Sequence, residues 1–214
     1  MRRILSMVLV LLVVLGANVY GQQVFFDVDF DDEPLGTMMV IEGVRGIKHD
    51  APEIVETPGR PGKSVYLRGV PNGYGDDFYY ELAEPVKDQL TVEAWLLPTG
   101  TVRSAALSVS DVHNIGDGDA VSLYIHNNGI IRYFANGAWH EVATYIPGEW
   151  VQIKVVIDVP NKTYDIYVDD MEHKVATAPF RNQNRTEMLR VGFYMYGVGT
   201  EPSPIYIDSF KVYR

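Results

Sequence analysis

The sequence predicts an all-β protein folded as an antiparallel two-sheet sandwich of the jelly-roll type. Three observations carry that prediction. Aromatic and β-branched residues come in short runs. Gly, Pro, Asn and Asp punctuate those runs. No helical stretch between them is long enough for the crossovers that a parallel sheet requires.

Residues 1–21 stand apart from this pattern. Arg2 and Arg3 form a short basic start, and Met7 to Leu15 is an unbroken apolar run too short to span a bilayer. Val19-Tyr20-Gly21 offers a small-residue cleavage site before Gln22. This is the layout of a secretory signal peptide. The expectation is therefore a secreted or periplasmic protein whose folded domain runs over 22–214, with no stable membrane insertion after signal cleavage.

Strands are predicted in order along that domain. Val24 to Phe30 is the first, and Ser64 to Arg68 follows the turn-rich Pro58-Gly59-Arg60-Pro61-Gly62. Phe78 to Leu82 and Leu90 to Leu97 come next. In Ala120 to His126, Val121, Leu123 and Ile125 alternate with Ser122, Tyr124 and His126, so the strand has one apolar and one polar face. Asn127-Asn128-Gly129 turns the chain into Ile130 to Phe134, and Asn136-Gly137 turns it again into Trp139 to Thr144. Trp150 to Asp158 and Thr163 to Asp169 form a hairpin around Pro160-Asn161-Lys162. A short polar helical turn is expected near Phe180 to Thr186, before the closing strands Met188 to Tyr196 and Ile205 to Tyr213. Trp95 and Trp150 are read as core.

Composition limits the partners. The chain has 28 acidic against 18 basic residues, a formal net charge of −10, and two of the basic ones lie in the leader. Nucleic acid needs a basic footprint that this balance does not supply. There is no cysteine, so disulfide frameworks and thiolate zinc sites are excluded.

Four segments resemble the laminin-G-like branch of the concanavalin A-like jelly rolls. They are Leu90 to Pro98, Gly148 to Asp158, Tyr164 to Asp170 (where the family usually has Gly in place of Asp170), and Ile207 to Tyr213. Their order and spacing also fit. The resemblance implies two curved antiparallel sheets packed face to face, often with a carbohydrate site on the concave sheet and a calcium ion at the edge. The fold hosts glycoside hydrolases, polysaccharide lyases and protein-binding modules as well, so it does not decide function.

Catalysis by a sandwich hydrolase needs two carboxylates close together. The retaining members of this fold carry Glu, Asp and Glu at alternating positions of one strand, and no such run is read here. Asp27-Val28-Asp29-Phe30-Asp31 alternates acids but precedes a turn. Arg185-Thr186-Glu187-Met188 and Tyr124-Ile125-His126 resemble pieces of the alginate lyases, in the reverse of that family's order. For a structural calcium, Asp29, Asp31 and Asp208 are the candidates, because in this fold the first and last strands lie side by side. Asp111, Asp117 and Asp119 are a second set. For a sugar, aromatic rings and polar groups on one face are needed. Tyr124, His126, Arg132, Trp139, Tyr194 and Tyr196 are the candidates, with Gln152 and Lys154 expected on the neighbouring strand pair. The expected function is a non-catalytic carbohydrate-binding or adhesion module whose partner is a carbohydrate or a cell surface. The alternatives are an enzyme of the same fold and a structural protein-interaction domain.

Overall fold

The computed structural model describes residues 22–37, 44–46, 52–68, 76–99, 104–111, 118–126, 128–196 and 204–214. The leader read over 1–21 lies outside them. Sixteen strands are described and no helix. In chain order they are β1 (Val24–Val28), β2 (Gly36–Thr37), β3 (Val44–Gly46), β4 (Glu53–Glu56), β5 (Lys63–Leu67), β6 (Asp77–Val86), β7 (Gln89–Pro98) and β8 (Ser104–Ser110). Then follow β9 (Val121–His126), β10 (Ile130–Ala135), β11 (Ala138–Thr144), β12 (Val151–Asp158), β13 (Thr163–Val168), β14 (Ala176–Pro179), β15 (Met188–Tyr196) and β16 (Ile205–Tyr213).

They form two antiparallel sheets. The nine-stranded sheet runs β14-β13-β12-β7-β16-β5-β4-β2, with β1 also paired to β16. The seven-stranded sheet runs β11-β10-β9-β8-β15-β6-β3. Apolar side chains on alternate positions of each strand meet between the sheets, as in Val151, Ile153, Val155 and Ile157 of β12 facing Val121, Leu123 and Ile125 of β9 in one core cluster. The all-β antiparallel sandwich read from the sequence is the observed architecture. The first and last strands are indeed neighbours, with Val24 opposite Tyr213 and Val28 opposite Phe210.

Alternation breaks once in β16, and the break is productive. Ile205 and Ile207 enter the core, and so do Phe210 and Val212. Strict alternation would send Phe210 and Val212 outward. A bulge between Asp208 and Lys211 inserts the extra residue, and Ser209 takes a positive φ of 49° to make it. Phe210 then packs edge-on to Phe78 and Phe193 at 5.5 and 5.8 Å and tilted on Phe26 at 5.4 Å.

Two turns follow the sequence directly. Asn136 and Gly137 have φ of 52° and 78°, the left-handed pair that a two-residue hairpin loop demands. Lys162 has φ of 55°, and Asp158 accepts the Asn161 amide hydrogen at 3.0 Å. One element differs. The segment expected to hold a helical turn holds no helix but one hydrogen-bonded turn, the Arg185 N–H donating to the Asn182 carbonyl at 3.2 Å, while Phe180, just after β14, is buried and donates its N–H to the Lys162 carbonyl at 2.8 Å, docking this stretch on the β12–β13 hairpin. No helix among the described residues is long and apolar enough to cross a membrane.

Replacing Phe210 by Ala removes the ring that links three other phenylalanines, Phe26, Phe78 and Phe193, across both sheets. The expected loss is about 3–5 kcal/mol of stability, read from the urea midpoint at unchanged m-value. A loss below about 1 kcal/mol would show that this ring is not central to the core.

Candidate functional site

The outward face of the seven-stranded sheet carries the concentration of chemistry. Its rows can be followed across strands by register. Tyr194 stands opposite Ala106, Ala106 opposite Tyr124, Tyr124 opposite Arg132, and Arg132 opposite Glu141. Phe134 stands opposite Trp139 on the two outermost strands. In the next row Ser122 and Ser108 are paired, and Ser108 is paired with Gly192. Small residues thus form the middle of the face, and large ones flank it.

Ala106 has no side chain beyond Cβ, so Tyr124 and Tyr194 close over it. Their hydroxyls are 3.0 Å apart, one donating to the other, and the rings meet edge to face. Both tyrosines are only 3% exposed. Burial pushes both phenols upward, that of Tyr194 far above its ordinary range, so both hydroxyls stay protonated. Arg181, carried in by the stretch after β14, donates from Nη1 to the Tyr124 hydroxyl at 3.0 Å.

Trp139 rests on this floor. Its ring is T-shaped to Tyr124 at 4.7 Å and to Phe134 at 5.1 Å. The Arg132 guanidinium lies 4.1 Å from the indole centroid, and that of Arg181 lies 5.1 Å from the Phe134 centroid. Trp139 remains 41% exposed. An exposed indole held by two rings and a guanidinium is a rigid, preorganised platform.

The other half of the face is charged and closed. Asp77, Tyr79 and Glu81 alternate on β6, with Glu81 opposite Arg190 and Tyr79 opposite Gly192. A Cβ at Gly192 would sit 2.5 Å from Tyr79 Cβ and 2.2 Å from the Phe78 carbonyl oxygen, so only glycine lets these strands pack so closely. The Arg190 guanidinium lies 3.2 Å from the Tyr79 ring centroid. Burial lowers its proton affinity, while Tyr79, Asp77, Asp119 and Glu81 favour its charge. Asp119 is fully buried and accepts hydrogen bonds from Ser108 at 2.7 Å and Ser122 at 3.1 Å. Sequence reasoning missed this group. The signal was the acid-Tyr-acid alternation of Asp77, Tyr79 and Glu81.

Tyr124, Arg132, Trp139 and Tyr194, expected on one face, are brought together there. His126 is half-buried at the end of β9, with Nδ1 2.6 Å from the Asn128 side-chain oxygen. Tyr196 ends β15, but its side chain lies outside the described residues. Gln152 and Lys154 do not join them. Their strand pairs with β7, so they belong to the outward face of the other sheet. Trp95 and Trp150 are not core either. They lie half-buried on that same outer face, where the Arg60 guanidinium is 4.0 Å from the Trp150 ring and 5.5 Å from the Trp95 ring. The indole N–H of Trp150 donates to the Pro58 carbonyl at 3.1 Å. A tryptophan that must satisfy a polar N–H finds its partner more easily at a surface.

The residues expected to hold calcium have partners within the protein. Asp208 is paired with Arg60 and accepts the Ser209 amide hydrogen at 2.6 Å. Asp31 accepts the Lys63 amide hydrogen at 2.8 Å, and Asp29 accepts that of Asp31 at 3.1 Å. The Lys63 ammonium donates to the carbonyls of Asp31 and Glu33 at 2.7 and 2.6 Å, occupying with its own charge the oxygens that a hard cation would use. In the second set, Asp111 pairs with Arg185 at 2.8 Å, Asp119 is held by the two serines, and Asp117 lies outside the described residues. Among the described residues no three metal-ligating side chains converge. Arg185, the first residue of one lyase-like fragment, is likewise spent on Asp111 and on the Gly118 carbonyl at 2.7 Å.

No protein-family model matches the sequence, and no curated protein matches it. Solved structures share the fold. A sialidase superposes with a TM-score of 0.61 at 14% identity over 74% of this chain, which spans only 16% of the sialidase. A botulinum neurotoxin type C structure, described as dependent upon interaction with two ganglioside molecules for cell entry, gives 0.58 at 9% identity over 89% of this chain and 47% of its own. The carbohydrate recognition domain of Emp47p gives 0.57 at 11% identity, covering 93% of this chain and 99% of that domain.

Two tests follow from the side chains themselves. Tyr145 donates to the His126 carbonyl at 2.7 Å, and burial pushes its phenol from the ordinary 10.0 up to about 12. A raised folded-state value means stability that is complete below the unfolded value and lost as pH rises through the folded one. The protein should therefore hold its stability to about pH 10 and lose it toward pH 12, with tyrosinate absorbance rising together with unfolding. Normal titration of all tyrosines near pH 10 without unfolding would contradict this. At the other end, Lys63→Met should cost about 1–2 kcal/mol, and a chelator should leave the melting temperature of the unaltered protein in place. A chelator-sensitive melting temperature would show that a metal holds this corner.

Proposed function

We propose that this protein is an exported glycan-binding module whose ligand rests on the outward face of the seven-stranded sheet at Trp139. The observation that carries this reading is the exposed indole at the sheet edge, fixed by Tyr124, Phe134 and Arg132. Such a ring stacks on the apolar face of a pyranose, and Arg132 beside it supplies donors for its oxygens. Tyr124 and Tyr194 act from beneath, holding the platform. The leader composition supports export. The shared fold with a carbohydrate recognition domain and a ganglioside-dependent toxin is in keeping with a glycan partner.

A second reading has its own observation. Asp77, Glu81 and Asp119 gather around Arg190 on the same face, and gathered acids can serve hydrolysis. One experiment addresses both. The mature domain is applied to a glycan array, and glycans that bind are incubated with it and examined by mass spectrometry. Binding that falls at least tenfold in Trp139→Ala, with intact glycans, is the expected result. Shortened products that vanish in Glu81→Gln would favour the enzyme. Silence on every glycan would sink the module reading.

A further inference from the structure

We infer that the Trp139 platform selects saccharides that carry an anionic group, a uronate carboxylate or a sulfate ester. The inference rests on the glycan-binding reading and sharpens it.

The starting point is charge. The chain is strongly acidic, and most described arginines are matched to carboxylates. Arg60 pairs with Asp208, Arg185 with Asp111, and Arg214 with Asp88. Arg68 faces Asp76 and Glu53. Arg190 sits among Asp77, Asp119 and Glu81. Arg132 departs from this rule. Among the described residues it makes no ion pair, although Glu141 stands opposite it in register. Its Nε is buried and has no hydrogen-bond partner. Its guanidinium is held against Trp139 instead.

A guanidinium without a carboxylate is unusual in so acidic a protein, because the surrounding field favours pairing. Leaving a guanidinium without an acceptor is costly. A ligand resting on the outer face would meet the terminal guanidinium nitrogens, Nε being enclosed, and give the charge its acceptor. Guanidinium donors form a fork that fits carboxylate or sulfate oxygens in pairs. Arg181 brings a second positive charge to the same cluster through Tyr124 and Phe134. A neutral hexose would use the indole and leave the Arg132 charge unanswered. A sugar acid or sulfated sugar would use both. Net repulsion from the rest of the surface would hold off anions that lack a ring to stack.

The test uses matched pairs that differ in charge alone. Oligogalacturonate is compared with its methyl ester, and a sulfated glycosaminoglycan oligomer with its desulfated form, by calorimetry and indole fluorescence on the mature domain. The expected result is that an anionic member binds about tenfold more tightly than its neutral partner and weakens as salt is raised. Arg132→Gln should erase that difference while Trp139→Ala weakens both members, and Arg181→Gln should reduce the preference in part. Which pair responds separates carboxylate from sulfate. Equal binding of charged and neutral members, or a preference that survives in a folded Arg132→Gln protein, overturns the inference and leaves the glycan-binding reading standing. Array glycans that bind through Trp139 and are all neutral do the same. Absence of any glycan binding removes both.

Discussion

The last strand holds the sandwich together, and a single backbone irregularity decides how. β16 pairs with β7 along one side and with β5 and β1 in turn along the other. Its bulge at Asp208 and Ser209 changes the parity of the side chains that follow. Phe210 is thereby turned inward to the phenylalanines of both sheets, and Asp208 outward to Arg60. Arg60 in turn bridges Trp150 and Trp95, which tie the loop before β5 to β12 and β7. The same three residues therefore set the core contact between sheets and the clasp on the outer face. An alternating β16 would place a charged Lys211 in the core and a phenylalanine in water, and each is costly.

Much of this was legible because it obeys a simple period. The four segments that resemble the jelly-roll family correspond to β7, β12, β13 and β16. In space they are consecutive, in the order β13-β12-β7-β16. The family signature is thus the middle of one sheet, where neighbours on both sides fix the alternation of each strand most tightly. β8 was missed, although it lies at the centre of the other sheet. Its Ser-Ala-Ala-Leu-Ser-Val-Ser sequence has little strand propensity. It is a strand because its pairing partners make it one, and its small residues are what allow Tyr124 and Tyr194 to touch. β2, β3, β4 and β14 are four residues or shorter, too short for periodicity to register.

The candidate site was legible by face but not by sheet. Alternation says which residues of a strand look the same way, and so Tyr124, Arg132, Trp139 and Tyr194 could be grouped. It does not say which strands are neighbours. Gln152 and Lys154 were placed beside them because β12 follows β11 in the chain, yet the chain passes from one sheet to the other between these strands. Lys63 and Arg60 were equally invisible as partners of Asp31 and Asp208, since the pairs are distant in sequence and no local spacing announces them.

The two halves of the seven-stranded sheet's outer face show why burial and exposure have to be weighed together. Around Arg190, charges of both signs are enclosed and answer one another. Around Trp139, the buried members are neutral phenols whose hydroxyls are satisfied within the cluster. Those phenols spend no charge, and they fix the indole through ring edges. The positive charge on this side is consequently left at the accessible rim, on Arg132, beside the exposed ring. A satisfied neutral floor beneath a charged rim is the arrangement that the proposed binding would use: the floor removes the entropy that a loose side chain would lose on binding, and the rim keeps its donors for a partner.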